Sequence, residues 1–284
     1  MRFAASTSQK GGTDMTARAD DGFETPFIEH GGGAPLVLIH GSVNDWRYWA
    51  PQMEALAAAP FRVLALSLRH YWPQPWDGKT GVFSIDEHIA DVARFIAALD
   101  RGAVRVIGHS RGGYIAFRLA ERHPELVRSL VLAEPAGVLD ASLLPPGFTP
   151  GNYGALIADA VEAVRRGEIE RGLELFFDYA LGDGGWASLG PDRQQICRDN
   201  VLTLLGQISE GRTPYARAAA QAVHAPTLIA VGGATQPAFR SVAEALAAAM
   251  PNAELADIPG ARHLLNWDNT AAFNAAVLEF FARN

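Results

Sequence analysis

Short runs of branched apolar residues recur along this chain, separated by longer stretches in which apolar positions fall three or four apart. Residues 36–39, 61–66, 104–107, 130–133 and 227–231 are almost continuously apolar, as expected of strands covered on both faces of a parallel sheet. Residues 23–29 and 253–258 read as a first and a last strand, with three glycines at 31–33 turning the first into the second. Helical spacing marks 45–59, where Trp46, Trp49, Met53 and Leu56 share a face, and also 237–250 and 271–282. Ser84 followed by Glu87 has the form of a capping box and predicts a helix from 85 to 99. Another helix follows residue 110 and ends near His123 and Pro124.

From 138 to 223 this alternation stops. Helical periods at 153–165, 169–181 and 193–205 are separated by Pro145-Pro146-Gly147, by a glycine-rich turn at 182–185 and by Pro191. The chain therefore reads as an α/β fold with a helical insertion between two of its strands.

Composition narrows the class. At 284 residues, 49% hydrophobic and 19% charged, the chain is long enough for one large core and has no apolar run of the roughly 18 to 20 residues that span a bilayer. A formal charge of -7 argues against a nucleic-acid partner, since phosphate binding draws on clustered cations and lysine occurs only at 10 and 79. Cys197 is the only cysteine, which rules out an internal disulfide and a cysteine-based zinc site and suits a buried structural residue. No Walker loop or dinucleotide fingerprint occurs, so no cofactor and no metal are expected. Residues 1–22 are rich in Ser, Thr, Gly, Asp and Ala and lack the apolar stretch of a secretory signal; they read as a disordered leader, with a cytoplasmic location following by default.

The chemistry concentrates at Gly108-His109-Ser110-Arg111-Gly112, placed between a buried strand and a helix. A serine on such a turn is lifted above the carboxyl end of the sheet, and the small residues at 108, 112 and 113 let strand and helix approach closely. With His40-Gly41-Ser42 before it and Gly260-Ala261-Arg262-His263 near the end, this turn resembles the α/β-hydrolase superfamily over about residues 23 to 284.

The resemblance implies a mostly parallel twisted sheet with helices on both faces, formed by 23–137 and 224–284, and a helical cap at 138–223. It implies Ser110 as nucleophile, His263 as base, and the backbone N–H groups of Ser42 and Arg111 as oxyanion donors. His109 and His40 are expected to pack near the oxyanion loop. The acid departs from the commoner pattern, because the position that carries aspartate in many members is Thr235 here. A subset of the superfamily takes its acid from the preceding strand end, where Glu134 stands, and the order Ser110, Glu134, His263 is preserved. Asp257 and Asp268 are the other carboxylates near the histidine.

The expected reaction is hydrolysis of a small to medium apolar ester or lactone. Tyr71, Trp72 and Trp76, in the loop after 61–66, and Phe148, Tyr153, Phe177 and Trp186, in the insertion, are candidate pocket residues. Carbon–carbon hydrolysis, amide hydrolysis, acyl transfer and perhydrolysis use the same serine. A ligand-binding sensor with weak hydrolysis is a further alternative, motivated by Thr235. Epoxide hydrolases and haloalkane dehalogenases need a carboxylate at the elbow, which Ser110 does not provide.

Overall fold

Seven strands form one sheet in the order β1-β3-β2-β4-β5-β6-β7. They are β1 (Phe27–Gly31), β2 (Ala34–Ile39), β3 (Phe61–Leu66), β4 (Val104–His109), β5 (Val127–Ala133), β6 (Thr227–Gly232) and β7 (Ala253–Ile258). The computed structural model describes residues 22–144 and 153–284; the leader up to residue 21, the turn at 145–147 and Phe148 lie outside it. Every pairing is parallel except that of β1 with β3. Beyond β3 the chain returns past β2 to lay down β4, so the direction of winding reverses between β2 and β4. A crevice opens at the carboxyl ends of strands where winding reverses, which places Ser42 and Ser110 on its two sides.

Side chains alternate between two cores. Val37, Ile39, Val106, Leu130, Leu132, Ile229 and Val231 join one cluster, while Leu36, Leu38, Ile107, Val131, Ala133, Leu228 and Ala230 join the other. The first is covered by α2 (Ile85–Ala98), α3 (Arg111–Arg122), α8 (Arg217–Ala222) and α9 (Pro237–Ala249), and the second by α1 (Ala50–Ala57) and α10 (Thr270–Arg283). Burial on both faces explains why these strands read as unbroken apolar runs.

Between β5 and β6 lie α4 (Tyr153–Arg165), α5 (Ile169–Leu181), α6 (Pro191–Asn200) and α7 (Thr203–Gln207), besides α8. The period expected at 193–205 divides into α6 and α7 because polar side chains draw the chain aside there. Asn200 donates to Asp45 and accepts from the Trp72 amide, and Thr203 Oγ1 donates to the Asn200 carbonyl. Arg47 fastens the same helix to the core by bridging Asp45 and Asp199, and the Arg193 guanidinium lies 4.8 Å from the Tyr48 ring and 4.5 Å from that of Trp267.

One other boundary moves. The first strand starts at Phe27, not residue 23, since Pro26 has no N–H to give to a ladder and only its carbonyl is used, by the Ser67 amide. Ser84 caps α2 through the Asp86 amide at 3.2 Å. Among the described residues no helix is long and apolar enough to cross a membrane.

Candidate active site

Ser110 sits between β4 and α3 with φ 53° and ψ -114°, a left-handed conformation that a side chain other than glycine's rarely adopts. Its surroundings fix it there. The Ser110 amide donates to the Ala133 carbonyl at 2.9 Å, and its own carbonyl accepts from Tyr114 and Ala136 at 3.0 Å each. A Cβ at Gly108 would lie 2.2 Å from the Gly112 carbonyl oxygen, and one at Gly112 2.1 Å from that of Ile39, so only glycine permits this approach of strand and helix.

Glu134 is the next residue after β5 and also has positive φ, 45°. Its amide donates to Ala230 of β6, which turns the side chain over the end of that strand. The carboxylate is fully buried and accepts three hydrogen bonds: from the Gly232 amide at 2.7 Å, from Thr235 Oγ1 at 2.8 Å and from His263 Nδ1 at 2.6 Å. His263 follows β7, and its Nε2 lies 3.0 Å from Ser110 Oγ. Because Nδ1 donates its hydrogen to the carboxylate, Nε2 is left as an acceptor facing the hydroxyl. Phe239 stacks on the imidazole with centroids 3.9 Å apart, setting the ring plane. Serine and histidine are 7% and 5% exposed. Asp257 and Asp268 are engaged elsewhere, with Arg240 at 2.5 Å and Arg262 at 3.1 Å respectively.

Three further histidines surround the site as neutral rings. His40 donates from Nδ1 to the Gly41 carbonyl and accepts the Leu68 amide on Nε2; burial pushes its pKa down to about 4. His109 donates from Nε2 to the His263 carbonyl at 2.9 Å and stacks on Tyr48, and burial holds it well below the ordinary imidazole range. His88 is lowered in the same way; it donates to the Arg69 carbonyl and accepts Arg111 Nη2 at 2.8 Å.

Ser42 and Arg111 follow the neighbouring strands β2 and β4, between which the winding reverses. Arg111 opens α3, so its amide has no partner within the helix. Ser42 follows β2, and its hydroxyl donates to Gln207 Oε1 at 2.6 Å. The Arg111 side chain is fully buried and forms a two-pronged ion pair with Glu210, at 2.5 and 2.6 Å. The sequence marks Thr235 only as the place where the commoner acid is lacking, not as a donor to Glu134, and gives no sign of Phe239, Gln207 or Glu210, since none of these three belongs to a motif.

The candidate pocket residues are dispersed. Tyr71 is wholly buried against His40. Trp72 lies between the Arg47 guanidinium, at 4.1 Å, and Trp46. Trp76 packs on Phe83 and donates to the Thr80 carbonyl. Phe177 stacks on Trp186 at 5.4 Å, inside the insertion. Tyr153 opens α4, and its side chain is outside the described structure. Cys197 is buried, its thiol pushed up to about 12 by desolvation. Among the described residues no group of three or more His, Cys, Asp or Glu is gathered to hold a metal ion.

A family model described as the alpha/beta hydrolase fold matches residues 34–270. The chain is 32% identical over 276 residues to a Mycobacterium tuberculosis protein named as a non-heme bromoperoxidase, BpoC, a match covering 90% of this chain and 97% of that one. It is also 32% identical over 131 residues to bifunctional epoxide hydrolase 2 of Sus scrofa; that match takes in 46% of this chain and spans only 22% of the longer protein. Among solved structures, an esterase from Exiguobacterium antarcticum superposes with a TM-score of 0.77 at 19% identity, over 93% of this chain and 97% of its own, a likeness of fold.

Proposed function

Since this chain belongs to the alpha/beta-hydrolase family, we propose that it is a serine hydrolase cleaving a small to medium apolar ester or lactone through an acyl-enzyme on Ser110. The observation that carries this reading is the unbroken contact from hydroxyl to imidazole to carboxylate, 3.0 Å and 2.6 Å long.

In this mechanism Ser110 Oγ attacks the carbonyl carbon while its proton passes to His263 Nε2. Glu134 keeps Nδ1–H oriented and offsets the charge of the imidazolium. The Ser42 and Arg111 amides donate to the oxyanion. Collapse expels the alkoxide, which takes the proton from His263, and leaves the acyl group on Ser110. A water molecule, deprotonated by the same histidine, then releases the acid. Residues 138–223 would act as a cap over a core of 23–137 and 224–284. Its aromatic packing and the low exposure of Ser110 favour an apolar substrate held away from water.

The likeness to BpoC favours a second outcome of the same acyl-enzyme, in which hydrogen peroxide replaces water and the product is a peroxy acid. The epoxide-hydrolase relative does not favour epoxide opening, for Ser110 stands where that chemistry needs a carboxylate.

The test is labelling with a fluorophosphonate, together with turnover of nitrophenyl esters of increasing acyl length, lactones and a ring-cleavage dienoate, with and without peroxide. Ser110→Ala should abolish labelling and lower kcat on esters by roughly 10⁴- to 10⁶-fold. Retention of labelling or turnover in that variant rules the proposal out. Turnover of the dienoate alone would move the assignment to carbon–carbon hydrolysis.

A further inference from the structure

Both residues whose amides serve as oxyanion donors in the reading above are held, by their side chains, from one short segment of the insertion. Ser42 Oγ donates to Gln207 at the end of α7, and the Arg111 guanidinium is gripped by Glu210 three positions later. These contacts form one buried chain. Arg212 Nε donates to Glu210 at 2.6 Å and Arg212 Nη2 to Gln207 Oε1 at 3.2 Å. Gln207 is 2% exposed, and the Glu210 carboxylate is shielded from solvent altogether. Two donors converge on Gln207 Oε1, which fixes the orientation of its amide.

We propose that Gln207 and Glu210 are positioning residues that align the oxyanion hole, so that the hole is completed only when the 207–212 segment is docked on the core. Backbone amides act on an oxyanion only within a narrow range of distance, and the side chains of Ser42 and Arg111 are the handles by which those amides are held. Arg111 is gripped on its other side by His88, so loss of Glu210 would let the guanidinium pull the first turn of α3 toward α2. Ser42 has no such second grip on its hydroxyl among the described contacts, which makes Gln207 the more direct control. Catalytic competence is thereby tied to the segment that also covers the site.

This inference rests on the serine-hydrolase reading, and the experiment separates the two. Steady-state hydrolysis of p-nitrophenyl butyrate, fluorophosphonate labelling and thermal unfolding are measured on the full chain. Gln207→Met should lower kcat roughly 10- to 100-fold with KM changed less than about threefold and the melting temperature nearly unchanged. Ser42→Ala, which keeps the amide, should show a similar loss, and the double variant should be no worse than the poorer single. Glu210→Gln should lower kcat as well and melt earlier, because two buried guanidiniums lose their counter-charge; if it does not fold, Gln207→Met and the double variant still decide. A kcat within twofold of wild type in Gln207→Met, an effect on KM alone, or multiplicative losses in the double variant overturns the positioning role while the hydrolase reading stands. A wild-type chain that neither labels nor hydrolyses overturns both.

Discussion

Two buried polar clusters flank Ser110, and they are built differently. In the first, every member comes off the end of a strand: Glu134 after β5, Gly232 and Thr235 at and after β6, His263 after β7. In the second, His88 and Arg111 lie on helices of the core, while Gln207, Glu210 and Arg212 come from the insertion. Strand register fixes the first, because the Glu134 amide donates to Ala230 of β6 and Gly232 is paired with Ile258 of β7. Docking of the insertion fixes the second. Their charges differ too: one carboxylate faces an imidazole and two neutral donors, whereas one carboxylate serves two guanidiniums. Burial alone would lift the Glu210 carboxyl, but Arg111 and Arg212 outweigh it and hold it below the usual range. Under the proposed mechanism, proton transfer would run through groups held by the sheet and oxyanion alignment through groups held by the insertion.

The largest effect separating the clusters should come from Glu134→Gln, which preserves shape and removes the charge. A loss in kcat of about 10³- to 10⁴-fold is expected, well beyond the loss in Gln207→Met, and ester turnover measures both. Equal losses would erase the distinction.

Next is acid stability. His40, His88 and His109 are neutral in the fold, so between pH 6.5 and about 4 the unfolded chain binds protons that the folded one refuses. Their contribution is present in full above 6.5, declines as pH falls, and for His40 is gone once the pH has dropped through about 4. For that ring the difference is about 3 kcal/mol. Urea unfolding at pH 7 and pH 4.5 should show the decline, with a shallower slope in His40→Gln; an unchanged slope would place the sensitivity elsewhere.

The smallest effect is Thr235→Val, which removes one of three donors to Glu134 and should cost roughly three- to tenfold in kcat. Thr235→Asp should be worse, although it restores the commoner acid, because two carboxylates would then compete for one imidazole. Recovery of wild-type rate by that variant would mean that Glu134 is replaceable in place.

The strands and the turn that carries Ser110 were legible as local pattern, apolar runs and a glycine-flanked turn, whereas His263 and Glu134 came from the resemblance to the hydrolase superfamily; the structure adds the contact that joins the three side chains. The uncharged Thr235 pointed to Glu134 before any geometry was known, yet its hydroxyl bond to that carboxylate depends on how the loop after β6 folds back. Phe239 against His263 was hidden among the apolar positions of an ordinary amphipathic helix. Gln207 and Glu210 were invisible for a stronger reason, since their partners are 165 and 99 residues away across an interface that periodicity does not describe. Tyr71, Trp72 and Trp76 show the converse: an aromatic-rich loop has no sign of which way its rings turn. Here they meet His40, Arg47 and Phe83.

The carboxylate of Glu134 is stitched to the neighbouring strand by both its backbone and its side chain. Under the proposed roles, an exchange of the whole 138–223 stretch with that of a relative would carry substrate preference across while leaving the contact of Glu134 with His263 intact. Such a chimaera would nevertheless run slowly until the incoming piece supplied its own grip for positions 42 and 111, so selectivity and speed would be inherited on separable parts of the chain.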